Sequence, residues 1–153
     1  MITSSFEYLA MPALHVVCPN CHARNRVPAD RLKDKPRCGV CKQTVFTGHP
    51  AELDDTSFAA HAEGSDIPVV VDFWAGWCGP CRAFAPTFSA AAAQLEPKLR
   101  FAKVNVDEAQ QTAARFNIRS IPTLAIFRDG KEIGRQAGAL SPQQLMAWLA
   151  QFY

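Results

Sequence analysis

Six cysteines carry the chemistry of this 153-residue chain, and all fall in three C-x-x-C pairs: Cys18/Cys21, Cys38/Cys41 and Cys78/Cys81. Scattered cysteines would suggest a secreted disulfide scaffold. Three tight pairs suggest metal binding or redox chemistry in a reducing compartment. The third pair, Trp77-Cys78-Gly79-Pro80-Cys81, sits between an apolar run and a helical pattern. Cys78 at a helix start would meet unpaired backbone N–H groups and the positive end of the macrodipole, which raise its thiolate fraction. Cys81, three residues on, would share its helical face, within reach to close a disulfide. Gly79 lets another backbone pass close by, and Pro80 supplies the φ of a first helical turn. The redox chemistry would run through a Cys78 thiolate attacking a substrate disulfide and Cys81 then attacking Cys78 to release the reduced product. Taken alone, the same spacing is also half of a zinc site.

Cys18, Cys21, Cys38 and Cys41 follow the pattern C-x2-C-x16-C-x2-C, which reads as a four-cysteine zinc site. Four thiolates fill a tetrahedral zinc and leave no open position, so one structural ion per chain is expected. Size agrees: about 35 residues bury too little apolar surface to fold without a metal. Two further redox disulfides or an iron centre are the alternatives. Cys18-Pro-Asn-Cys21-His22 also spells a haem-attachment motif, but a second pair at zinc spacing accounts for the cysteines better. His22 then reads as a surface residue, and His15, His49 and His61 show no ligand spacing.

Apolar residues make up 48% of the chain and charged residues 20%, which excludes whole-chain disorder or a coiled coil. A net charge of +2 excludes a strongly basic nucleic-acid binder. The charge is uneven: residues 1–50 carry seven Lys/Arg against three Asp/Glu, and residues 51–153 carry nine against eleven. "TGHPAELDD" (47–55) reads as a linker, placing a boundary near residue 50. Beyond it, helix and strand signals alternate. A short helix spans 56–63, and "PVVVDFWA" (68–75) has the continuous apolar run of a strand buried on both faces. A helix from Cys78 to about Leu95 should kink at Pro86. An alternating strand covers 100–107 and a helix 108–116, and strands 123–127 and 131–137 join at Asp129-Gly130, a strong hairpin signal. Ser141, Pro142 and Gln144 open a last helix through Phe152. The order α-β-α-β-α-β-β-α predicts an α/β fold with a mixed central sheet flanked by helices.

"VVVDFWAGWCGPCR" (69–82), "RSIPTLAIFRDGKEI" (119–133) and "GALSPQQL" (138–145) together resemble the thioredoxin family in segment order and spacing. The resemblance spans about residues 55–153 and implies a thioredoxin fold there; with the boundary near residue 50 and the cysteine spacing, the chain divides into a thioredoxin domain at 51–153, a zinc ribbon at 14–50 and an N-terminal extension at 1–13. Cys78 matches the exposed attacking cysteine and Cys81 the buried resolving one. Asp72 matches the family's buried acid, which accepts the Cys81 proton, and Lys103 its lysine partner. Pro122 matches a cis-proline that brings the Ile121 backbone beside Cys78. Trp77, Gly79, Pro80, Ile121, Ala137 and Gly138 match a flat apolar docking surface, and Trp74 a tryptophan packed behind it. Arg82 stands where lysine is common, so the charge is kept.

"CHARNRVPADR" (21–31) and "RCGVCKQ" (37–43) resemble the ribbon of the family's zinc-containing bacterial members. That likeness implies a cytoplasmic, monomeric protein-disulfide reductase, recharged by an NADPH-dependent flavin reductase and binding no organic cofactor. Oxidation of the ligand thiolates would release the zinc. Residues 1–17 lack Lys and Arg and are broken by Pro12 and His15, so neither a secretory signal nor a membrane span is expected. Met11 is a candidate alternative start. A rival reading makes the basic ribbon a nucleic-acid or protein docking module. Its only aromatic is Phe46, which offers no stacking platform, so nucleic acid is not expected as a partner.

Overall fold

The computed structural model describes residues 12–153; the Met11 start and most of the 1–13 extension lie outside the described residues. The ribbon opens on β1 (Ala13–Val17), paired antiparallel with β2 (Arg24–Pro28), and each cysteine pair makes a tight turn. Residues 51–153 form a five-stranded mixed sheet from β3 (Ala51–Leu53), β4 (Val69–Trp74), β5 (Arg100–Asn105), β6 (Thr123–Arg128) and β7 (Lys131–Ala137). The spatial order is β3-β5-β4-β6-β7, with β3, β5 and β4 parallel and β6 and β7 antiparallel. This is the thioredoxin fold, behind an N-terminal ribbon whose four cysteines cluster.

Four helices cover the sheet: α1 (Phe58–Gly64), α2 (Gly79–Leu95), α3 (Gln110–Arg115) and α4 (Pro142–Leu149). Strand alternation sorts the core into two layers. Val69, Val71 and Phe73 of β4 pack with Phe58 and Ala62 of α1. Val70 joins Phe84 and Phe88 of α2 and Leu145 and Trp148 of α4. Asp72 shares that second face, on a strand otherwise apolar from Val69 to Phe73. The helix α2 runs through Pro86, and α4 stops at Leu149, three residues short of its expected end. The Ser141–Gln144 capping box forms, and the hairpin turns through Asp129 and Gly130, both with positive φ.

The stretch 47–55 contains β3, which pairs in parallel with β5 at the sheet edge, so it is not simply a linker. Its three residues alternate buried, exposed, buried, a pattern too short to read against the surrounding polar residues.

The ribbon is seated on the sheet's N-terminal end. Ile67, just before β4, completes the ribbon core with Val16, Val27 and Val45. Arg100, at the first position of β5 and 1% exposed, donates from Nη2 to the carbonyls of Val17 and Val45, while Nη1 donates to Glu96 Oε1 at 2.8 Å. Phe46 lies beneath its guanidinium, 4.8 Å away. His15 contacts Asp66 through its backbone N–H (2.6 Å) and Nδ1 (3.0 Å), and Arg24 donates to the Gly64 carbonyl. His22 is not a free surface residue: its Nδ1 lies 2.9 Å from Nε2 of the fully buried His61. Among the described residues, no helix is long and apolar enough to cross a membrane.

Candidate functional site

The third cysteine pair stands where β4 passes into α2, at the C-terminal end of the central strand. Cys78 is the N-cap of α2, and its sulfur accepts the backbone N–H of Cys81 at 3.2 Å. That donor and the helix end set partial positive charge beside the Cys78 sulfur, the condition that favours a thiolate once the pair is reduced. Cys78 and Cys81 are joined as a disulfide, with Cα atoms 5.3 Å apart. Both residues are buried, Cys78 at 5% exposure and Cys81 at 2%. The Cys78 environment is nevertheless open at the rim, since Gly76, Trp77, Gly79 and Pro80 are all exposed.

The remaining predicted residues fall around this pair. The Ile121–Pro122 peptide bond is cis, and the Ile121 carbonyl oxygen lies 3.8 Å from Cys78 Sγ. Gly138, at φ +91°, donates its N–H to the Pro122 carbonyl at 2.8 Å, which ties the end of β7 to the proline loop. Ala137 pairs with Thr123 one step away. Trp77 is 70% exposed, and its Nε1–H donates to Asp107 Oδ2 at 2.8 Å. Sequence reasoning misses Asp107, because one acid after "NV" carries no signal of its own.

Asp72 is fully buried, and neither carboxylate oxygen has a hydrogen-bond partner. Burial pushes its carboxyl up to about 7, against a weaker opposing pull from Lys103. Lys103 lies in register with Asp72 on β5, yet its amine sits 4.3 Å from the centre of the Trp74 ring, in a cation–π contact.

At the opposite end of the sheet, the sulfurs of Cys18, Cys21, Cys38 and Cys41 all lie within 4.8 Å of one another. Cys18–Cys41 and Cys21–Cys38 are each 3.6 Å apart, close to the edge of about 3.8 Å expected for four sulfurs around a tetrahedral zinc. Backbone N–H groups of Asn20 and Val40 point at Cys18 and Cys38, each at 3.4 Å, and Asn25 Nδ2 adds a donor to Cys38 at 3.5 Å. Donors of this kind stabilise thiolates. The Cys41 N–H is the largest influence drawing Cys38 down to about 6, and the Gln43 N–H lowers Cys41, whereas burial raises Cys18. The donor set therefore fits a zinc ion. The six residues of β4, roughly 20 Å at strand rise, separate this centre from the dithiol.

Comparison with known proteins agrees with this geometry. Residues 49–151 match the family model described as Thioredoxin, and residues 17–43 match the model described as Thioredoxin 2, N-terminal. Thioredoxin C-3 of Corynebacterium nephridii is 42% identical over 136 residues, covering 89% of this chain and 93% of the relative. The thioredoxin of Pseudomonas aeruginosa is 43% identical over 101 residues, covering 66% and 94%. Thioredoxin 1 of a Nostoc species is 48% identical over 90 residues, covering 59% and 84%. With a redox-capable pair at a helix start, a four-cysteine ribbon and these matches, the chain belongs to the thioredoxin family of thiol–disulfide oxidoreductases.

Proposed function

We propose that the chain is a protein-disulfide reductase working through Cys78 and Cys81. The observation that carries this reading is the Cys78 sulfur at the α2 N-cap, bonded to Cys81 and beside the Ile121 carbonyl. In the reduced state the Cys78 thiolate attacks one sulfur of a substrate disulfide. A Cys78–substrate bond forms, and the substrate's own S–S bond breaks, expelling a thiolate that takes up a proton. Cys81 then loses its proton to Asp72, directly or through a water, and attacks Cys78 Sγ. The Cys78–Cys81 bond forms as the second substrate thiolate leaves. Two electrons pass to the substrate, and the enzyme ends as the disulfide.

The exposed rim of Trp77, Gly79, Pro80, Ala137 and Gly138, with Ile121 beside it, is the surface on which an extended substrate segment lies. Lys103 modulates Asp72, and Pro122 holds Ile121 at the sulfur. Cys18, Cys21, Cys38 and Cys41 hold one structural zinc, which supplies folding energy to the ribbon and takes no part in the exchange. We divide the chain into a ribbon at 14–50 and a redox domain at 51–153. An NADPH-dependent flavin reductase returns electrons to the pair. The cytoplasm, which keeps four ligand thiolates reduced, is the compartment we assign.

Turbidimetric reduction of insulin disulfides by dithiothreitol tests the assignment. Wild-type protein should accelerate it and Cys78→Ser should not; full retention in Cys78→Ser removes the nucleophile named here.

A further inference from the structure

The lysine beside Asp72 is shared. Parallel strands place in-register side chains on the same face of a sheet. Lys103 of β5 is in register with Asp72 of β4 on one side and with Glu52 of β3 on the other. The three side chains therefore form one row, acid–base–acid, from the sheet edge to its interior. Burial increases along the row: Glu52 is exposed, Lys103 half-buried and Asp72 buried. A cavity of about 170 Å³ opens at the outer end, lined by Glu52, Leu53, Trp74, Lys103, Asn105 and Glu108. The Lys103 amine lies over Trp74, a wall of that cavity, and both Asp72 oxygens lack hydrogen-bond partners.

We propose that Glu52 is a positioning residue for disulfide exchange: it draws Lys103 toward the edge cavity and so leaves Asp72 unpaired. The proposal rests on the reading of Asp72 as the group that exchanges a proton with Cys81. Unpaired, the buried acid retains a proton near neutrality and is basic enough to take one from a thiol. Paired with Lys103, it would be a weaker base.

The other groups around Asp72 leave Glu52 as the in-register competitor. On β6 its partner is the apolar Leu124. The helix α2 presents the Cys78–Cys81 disulfide, and Arg82 of that helix is engaged with the Gly76 carbonyl at 2.7 Å. Asp107 is held by Trp77. Glu108 shares the cavity but lies beyond the end of β5, outside the row.

The test monitors the Asp72 carboxyl carbon by NMR across pH in the oxidised protein. In Glu52→Gln the midpoint should fall by about half a pH unit, because Lys103 is freed to approach Asp72. Glu52→Asp, which keeps the charge, should restore it. In a Lys103→Gln background the Glu52→Gln change should largely vanish. An unmoved midpoint in Glu52→Gln overturns the proposal. An equal fall with and without Lys103 also overturns it, since Glu52 would then act by its direct field. Asp72→Asn separates the underlying reading: if insulin reduction keeps its acid limb in that variant, Asp72 is not the base, whatever Glu52 does to its titration.

Discussion

Arg100→Met asks whether one side chain fastens the ribbon to the redox domain. Methionine fills most of the volume but donates no hydrogen bond. The carbonyls of Val17 and Val45 lose their Nη2 donor, and the Glu96 carboxyl loses its ion-pair partner, with its other oxygen already unpartnered. Each stranded carbonyl costs about 1–3 kcal/mol. With the unpaired carboxylate added, the loss should reach about 4 kcal/mol, in the range of about 3–5 kcal/mol for breaking a buried pair. The loss should also depend on pH. Burial pushes Glu96 up to about 7 despite Arg100. A carboxyl raised above its unfolded value binds its proton more tightly when folded, so its ionisation costs stability as pH rises through that window. Without Arg100 the folded value rises further. Urea unfolding of zinc-replete protein at pH 5.5 and pH 8 should therefore show a larger loss at pH 8. A loss below about 1 kcal/mol, or one equal at both pH values, would refute the interlock.

Asp72→Asn should slow insulin reduction at neutral pH while stabilising the oxidised fold by about 4 kcal/mol at pH 8, with little gain at pH 4, because burial raises Asp72 to about 7 and its ionisation opposes folding only above its unfolded value; calorimetry at the two pH values measures this. Zinc assay with thiol counting before and after mild peroxide should give one zinc per chain, two readily oxidised thiols and four protected ones.

How far the sequence predicts this molecule depends on how local each feature is. The α2 start at Cys78, the Ser141 capping box and the Asp129-Gly130 turn are legible because their physics acts within about four residues. The four-cysteine cluster is legible because metal geometry constrains spacing. The domain seam is not. Arg100 reaches partners 83 and 55 residues away, His22 meets His61 across 39, and His15 meets Asp66 across 51. A buried arginine and three histidines carry no pattern that announces such pairings. Glu52 escapes for a related reason: its strand is three residues long, and its meaning comes from register with Lys103. The Lys103 contact with Trp74 is likewise set by packing between β4 and β5, not by the "AKVNVD" motif.

Attack by Cys78 and resolution by Cys81 leave a mixed disulfide that trapping reveals. A Cys81→Ser chain, reduced and mixed with a disulfide-bearing protein, should accumulate a mixed disulfide that peptide mass spectrometry maps to Cys78. Cys78→Ser should accumulate none. A trapped adduct on Cys81 in the Cys78→Ser chain at a comparable rate, or adducts on the ribbon cysteines of both chains, would contradict these roles.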